Sequence, residues 1–269
     1  MIPFVKAHAC GNDFLIVDTS SALGRDRGEL AFRLCQRNTG VGADGVEYLE
    51  WTGDRSGRIQ LFNADGATAE ISGNGTRCVA AWMARQKHAG PGDVFAVQTD
   101  AGLRVCRVIS SSERRFEIAT GMGVPGISER GVELANGRVV DGAVVSMGNP
   151  HFVVLVENES FSVAELPWES VGREICFHSD FPQQTNVEFV RVIGPREIEI
   201  RIFERGVGPT SSSGTGTCAV AAASIAVRGL NAELTVKAPG GAQLVSWPGG
   251  SAEMTLTGPA ELISLGEAF

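Results

Sequence analysis

Two stretches of this chain, SGNGTRCVAA at 72–81 and SGTGTCAVAA at 213–222, carry one pattern twice, 141 residues apart. The offset also holds upstream: Ile59 matches Ile200, Phe62 matches Phe203, and LFNADG at 61–66 matches IFERGV at 202–207. An earlier pair, GNDFLIVD at 11–18 and GNPHFVVLV at 148–156, is offset by 137. Repeats so far apart are duplicated domains, since solenoid units recur roughly every 20–50 residues. A chain of 269 residues has room for two ordinary domains, and the repeat demands two equivalent halves.

Each half must then bury its own core, and 43% hydrophobic with 20% charged residues is ordinary for globular domains. The formal net charge of −8 argues against nucleic acid or an anionic membrane as partner, because both attract a basic face. No apolar run approaches the ~20 residues of a membrane span, and MIPFVKAHACGNDF lacks the apolar core of a signal peptide. Cys10, Cys35, Cys78, Cys106, Cys176 and Cys218 form no CxxC pair and no metal-ligand rhythm. They are expected as buried thiols in a reducing cytoplasm, with no metal site.

Short alternating runs such as RIQLFN, VFAVQT, EIEIRIF and ELTVKA are rich in β-branched and aromatic residues. With turns such as APGG and WPGG between them, they predict largely antiparallel strands. Helical pattern is confined to RGELAFRLCQR (27–37), which follows Asp26, to GTRCVAAWMARQKH (75–88) and to GTCAVAAASIAVR (216–228). The last two are rich in small residues and poor in charge, so they should be buried nearly all round. A helix buried that way wants a sheet wrapped about it. The fold class is therefore α/β in the α+β sense, each half a curved sheet around one central helix, with the boundary near 113–126.

A strand that enters a helix through a glycine turn leaves the first N–H groups of the helix free, and these make an anion site. Taken alone, Ser72 or Ser213 is most simply an N-cap. Two equivalent turns can aim both helix starts at one cleft, gripping a small carboxylate there. Proton exchange at the adjacent carbon, from one face and back on the other, inverts a stereocentre. Asn12, Asn63, Asn149 and Asn186 all stand at turns, at matched places in the two halves. Glu204 and Arg205 suit an ammonium and a carboxylate respectively. His151 follows GNP, beside the expected cleft, whereas His8, His88 and His178 have no such context. From the residues alone, the chain reads as a two-lobed enzyme for a small carboxylate-bearing substrate.

HACGNDFLIVD, GVGADG, FNADG, GNGTRC, MGNPH, TNVEF, ERGVG and SGTGTCA run nearly end to end along the chain. In order and spacing they resemble the diaminopimelate epimerase family, cofactor-independent amino-acid epimerases. The resemblance implies two pseudo-symmetric, largely antiparallel barrel-like lobes, 1–115 and 116–257, with a last strand at 258–269 returning to the first. It implies a cytoplasmic homodimer without pyridoxal phosphate, acting on an amino-acid substrate in lysine and peptidoglycan precursor synthesis. Carried over, Asn12, Asn63, Asn149, Asn186, Glu204 and Arg205 become substrate contacts. Gly73 and Asn74, with Gly214 and Thr215, become the cradle of the α-carboxylate. His151 and Glu204 become groups that tune proton transfer.

The chain departs from that family where the chemistry is done. The family's two catalytic cysteines precede the glycine turns, and here those positions are Ser72 and Ser213. Cys78 and Cys218 lie inside the following helices and read as packing residues. Pro209 stands where the family usually has glutamate, and Gly45 where some members have glutamine. A thiol ionises near pH ~8.5 and a helix N-terminus lowers that further, whereas a serine hydroxyl stays protonated at neutral pH. Three readings stay open: a base pair replaced so that a ligand is trapped, an amino-acid-binding paralogue, or an easier proton shift served by Glu70 or Glu204. A serine hydrolase is a fourth, but GxSxG is missing and two symmetric serines exceed what one nucleophile requires.

Overall fold

The computed structural model describes residues 1–269. In chain order the strands are β1 (Ile2–Ala9), β2 (Asn12–Asp18), β3 (Gly45–Gly53), β4 (Ser56–Asn63), β5 (Thr68–Ala69), β6 (Val94–Thr99), β7 (Gly102–Ser111) and β8 (Arg115–Gly123). They continue as β9 (Gly126–Glu133), β10 (Val139–Ser146), β11 (Pro150–Val156), β12 (Asn186–Gly194), β13 (Glu197–Glu204), β14 (Gly208–Thr210), β15 (Glu233–Ala238), β16 (Gly241–Ser246) and β17 (Met254–Ala268). The helices are α1 (Arg27–Cys35), α2 (Gly73–Gln86), α3 (Trp168–Cys176) and α4 (Gly214–Arg228). Two compact units result: Met1–Gly121 with Thr257–Phe269, and Met122–Leu256.

In the first unit the pairings run β1–β2–β3–β4–β6–β7–β8–β17 and back to β1, a closed barrel of eight strands. Closure removes exposed edges and leaves an interior just wide enough to be filled by side chains. Here α2 fills it. The helix is buried without a break from Gly73 to Ala81, because glycine and alanine let its backbone approach the surrounding strands. The second unit repeats the plan with β9 to β13, β15 and β16 around α4, buried without a break from Gly214 to Ser224. No helix is long and apolar enough to cross a membrane.

Local signals account for the helix ends. Asp26 caps α1, its carboxylate accepting the N–H groups of Gly28 (2.9 Å) and Glu29 (3.0 Å). Gly229, at φ 67°, closes α4 in the left-handed conformation that glycine adopts without strain.

The expectation of largely antiparallel strands holds for most pairs, but β2–β3, β4–β6, β11–β12 and β13–β15 are parallel. Each of those pairs is bridged by a crossover that carries a helix, α1 to α4, outside or through the sheet. Helix α3 escaped the sequence reading. Its N-cap is Pro167, which offers no side-chain cap, and the helix is held by packing Val171, Ile175 and Cys176 against Phe189 and Phe203. All six cysteines are free and buried.

Candidate active site

The two glycine turns fold alike. Ser72 has extended backbone (φ −122°, ψ 121°), and its Oγ accepts the Gly75 N–H at 3.1 Å. Ser213 (φ −141°, ψ 128°) does the same with Gly216 at 3.2 Å. Both are N-caps of the central helices. Gly73, Asn74, Gly214 and Thr215 follow directly and are buried in the first turns.

In the first unit Asn12 lies at the start of β2, where Cys10 (φ 52°) and Gly11 (φ 81°) turn the chain. Its amide is held on both sides. The Nδ2 donates to Asp44 Oδ2 at 2.7 Å, and the Oδ1 accepts Asn74 Nδ2 at 3.1 Å. Asn74 Oδ1 in turn accepts Arg77 Nη2 at 2.6 Å. Asp44 is clamped by Arg37 Nη2 (2.7 Å), which also holds Asp13 (2.8 Å), and Lys6 reaches Asp13 at 3.1 Å. These cations hold the Asp13 carboxyl below its usual range against the opposing effect of burial, which is the largest single influence on it. Asn63 pairs with Gly45 at the end of β4, next to Asp44, and is exposed. Glu70 is exposed as well.

The second unit builds a longer polar chain. Asn149 donates to Thr215 Oγ1 (3.3 Å) and accepts from His151 Nε2 (3.0 Å), while His151 Nδ1 meets Glu188 Oε1 at 2.8 Å. His151 and Glu188 are both 0% exposed, so each needs the other: a buried charge is tolerated when paired. Both ring nitrogens are thereby engaged, one by Glu188 and the other by Asn149. Asn186 is level with His151 on the neighbouring strand, donates to the Pro150 carbonyl (3.2 Å) and accepts the Arg205 N–H (2.9 Å). Arg205 is exposed, with Nη1 on the Gln183 carbonyl at 3.0 Å, and Glu204 ends β13 half-buried beside it. Asn149, His151, Asn186, Glu204, Arg205, Ser213, Gly214 and Thr215 thus gather at one end of this unit. Asn12, Asn63, Ser72, Gly73 and Asn74 gather in the other. The imidazole is committed to Glu188 and Asn149, and each serine Oγ to its own helix, so no Ser–His hydrogen bond of a hydrolase is formed.

Sequence reasoning missed Asp44, Arg37, Asp13, Glu188 and Glu47. The duplication could have flagged the last pair, because Glu47 and Glu188 stand 141 residues apart, as the two serines do. Each lies under the first turn of a central helix. A methyl group on Gly216 would sit 2.7 Å from Glu188 Oε1 and 3.1 Å from Ser213 Cβ, and one on Gly75 would run into Glu47 Oε1. Glycine is required at both places by close approach. Gly216→Ala is therefore expected to destabilise by about 1–3 kcal/mol through overpacking, although alanine is the better helix former. Guanidinium unfolding checks this, and a raised midpoint would contradict it.

A family model described as diaminopimelate epimerase matches residues 4–126 and 143–263. A diaminopimelate epimerase of Desulforudis audaxviator is 36% identical, covering 96% of each chain. Those of Pelotomaculum thermopropionicum and Teredinibacter turnerae are 36% and 35% identical over 98% of each chain. Among solved structures, a probable proline racemase from Agrobacterium radiobacter with bound carbonate has a TM-score of 0.73 at 15% identity, covering 100% of this chain and 93% of its own. A phenazine biosynthesis protein of Bacillus anthracis has 0.70 at 15%, covering 100% and 99%. At such identity these two speak for the fold.

Proposed function

This chain belongs to the diaminopimelate epimerase family, and from that premise we propose that its substrate is diaminopimelate, taken in the LL and meso forms. The chemistry is a two-base proton transfer at the α-carbon, without pyridoxal phosphate. The observation that carries the reading is the recurrence of one device in both units: a serine-capped helix start with a buried, polar second position, Asn74 or Thr215. Gly73, Asn74, Gly214 and Thr215 cradle the α-carboxylate. Asn12, Asn63, Asn149, Asn186, Glu204 and Arg205 bind the remaining polar groups.

Ser72 and Ser213 occupy the positions of the two bases, and this weakens turnover. A serine hydroxyl does not ionise at neutral pH, and each Oγ already serves its helix as a cap. The same occupancy favours a second reading, an amino-acid-binding paralogue that does not racemise. We assign the chain to a reducing cytoplasm, consistent with six free thiols, and expect a homodimer by analogy with the family.

Binding should depend on the polar contacts more than on the serines. Arg205→Ala removes a charge-assisted partner of a carboxylate and is expected to weaken diaminopimelate binding by about 1.5–3 kcal/mol. Ser72→Ala should change it little. Titration calorimetry on both variants is the test, and the reverse order of effects would mean that the pocket is misassigned.

A further inference from the structure

Glu47 is the one buried carboxylate at a candidate half-site that the scheme above leaves without a task. It is 0% exposed, and neither oxygen has a hydrogen-bond partner. Its strand neighbours are Ile16 on β2 and Leu61 on β4. Its Oε1 is packed against Gly75 in the first turn of α2, yet no N–H of that turn serves it. The Gly75 N–H goes to Ser72 Oγ and the Thr76 N–H to the Ser72 carbonyl. Glu188, its counterpart in the repeat, has His151 as a partner. At the earlier repeat's offset of 137 residues, the position that matches His151 is Phe14, so the first unit has the carboxylate without the imidazole.

We propose that Glu47 is a proton-operated gate on the α2 half-site: the turn accepts a ligand carboxylate while Glu47 is a neutral acid, and repels it once Glu47 is ionised. The inference rests on the carboxylate-binding role assigned above to Gly73 and Asn74. Burial alone pushes the Glu47 carboxyl up to about 8, so the change falls just above neutral pH. Around it, α2 contributes Cys78 and Arg77, β2 contributes Asp13 and Asp18 at its ends, and β4 contributes only the exposed Arg58. Cys78 stays a thiol, raised chiefly by burial, with Arg77 opposing and Glu47 adding to the rise. Arg77 is turned to Asn74. No hydrogen-bond donor reaches either oxygen of Glu47, so its charge would act on the cradle through protein interior.

Two like charges about 6 Å apart at an effective dielectric of about 20 weaken binding roughly 10- to 100-fold. By reciprocity, a carboxylate bound to α2 raises the affinity of Glu47 for its proton. Binding near pH 8.5 should then take up part of a proton. The second unit has no such gate, because Glu188 is already paired.

The experiment is calorimetric titration of the full chain with meso-diaminopimelate from pH 6.5 to 9.5, for the wild type, Glu47→Gln and Glu47→Leu. The ammonium groups of the ligand titrate alike in all three. Expected is a roughly 10- to 100-fold loss of affinity across that range in the wild type beyond the loss in both variants, with proton uptake in the wild type in excess of that in the variants. Equal pH slopes in all three overturn the gate. The side-chain carboxyl resonance of Glu47, assigned by its loss in Glu47→Gln, is followed in ligand-free protein labelled with ¹³C-glutamate. Titration above pH 7 supports the gate, and a carboxylate ionised at pH 6 overturns it. Failure of all three proteins to bind at every pH would instead remove the ligand assignment, while the resonance still decides the state of Glu47.

Discussion

Cysteine at positions 72 and 213 together is expected to raise α-proton exchange of diaminopimelate at least ~10²-fold, and up to ~10⁴-fold, over the serine protein. The scaffold already has both helix starts, capped and buried, and a thiol differs little in size from a hydroxyl. What it lacks is a group that ionises in the working range. A thiol at a helix N-terminus does so, and its thiolate is the base. Ser72→Cys or Ser213→Cys alone should do much less, because inversion needs one group to take the proton and another to return it. The resident thiols offer no substitute: Cys78 and Cys218 are fully buried within their helices, and burial holds Cys78 well above the usual thiol range. Exchange should rise with pH as the thiolate forms, then fall above about pH 8 if Glu47 ionises beneath the cradle. Deuterium incorporation from solvent, read by NMR in all four serine and cysteine combinations, is the measurement. A double-cysteine protein that binds diaminopimelate and exchanges nothing would end the epimerase reading for this chain.

The second large effect concerns stability. The stabilisation given by Glu47→Leu is expected to grow by on the order of 4 kcal/mol from pH 5 to pH 9. An acid whose folded-state pKa is raised, here from 4.5 to about 8, keeps its proton in the folded protein while the unfolded chain has lost it. The folded state then binds more protons than the unfolded state between those values, so stability falls as pH climbs from 4.5 to 8 and is level above. Leucine removes that slope and suits the neighbours Ile16 and Leu61. The residual gain at pH 5, about 1–3 kcal/mol, comes from deleting an unpartnered buried polar group. Denaturant midpoints at pH 5, 7 and 9 test the difference, and a gain independent of pH would show that Glu47 is ionised in the folded protein over the whole range, as it is in the unfolded chain.

Much of the half-site could be read before any coordinates. The serine caps, the glycine turns and the buried character of α2 and α4 follow from a few adjacent residues each. Asp26 likewise announces α1. Helix α3 gave no such notice, because a proline cap and nine residues of mixed polarity carry little local preference, and only its contacts with Phe189 and Phe203 hold it. Glu47 and Glu188 were hidden for a related reason. VEYLEW and NVEFV have the alternation of strands with a polar residue turned to solvent, whereas in the fold the first five residues of each strand, 45–49 and 186–190, are buried on both faces. The apolar Val46 and Tyr48 pack on one side against α1, and Leu49 packs on the other against α2, which is the side that receives Glu47.

The sequence by itself therefore determined the duplication, the places where the central helices start and the residues that line those starts, because caps, turns and small-residue runs act over one or two turns of chain. Only the tertiary structure decided which buried carboxylate has a partner. His151 reaches Glu188 from the strand next to it, and in the equivalent place beside Glu47 the same topology sets an apolar neighbour. It also decided that Asn12 is held by Asp44, itself clamped by Arg37, residues 32 and 25 positions from Asn12 in the chain. Pairing of this kind is set by strand register and burial, which depend on what lies across the sheet and not on the residues to either side.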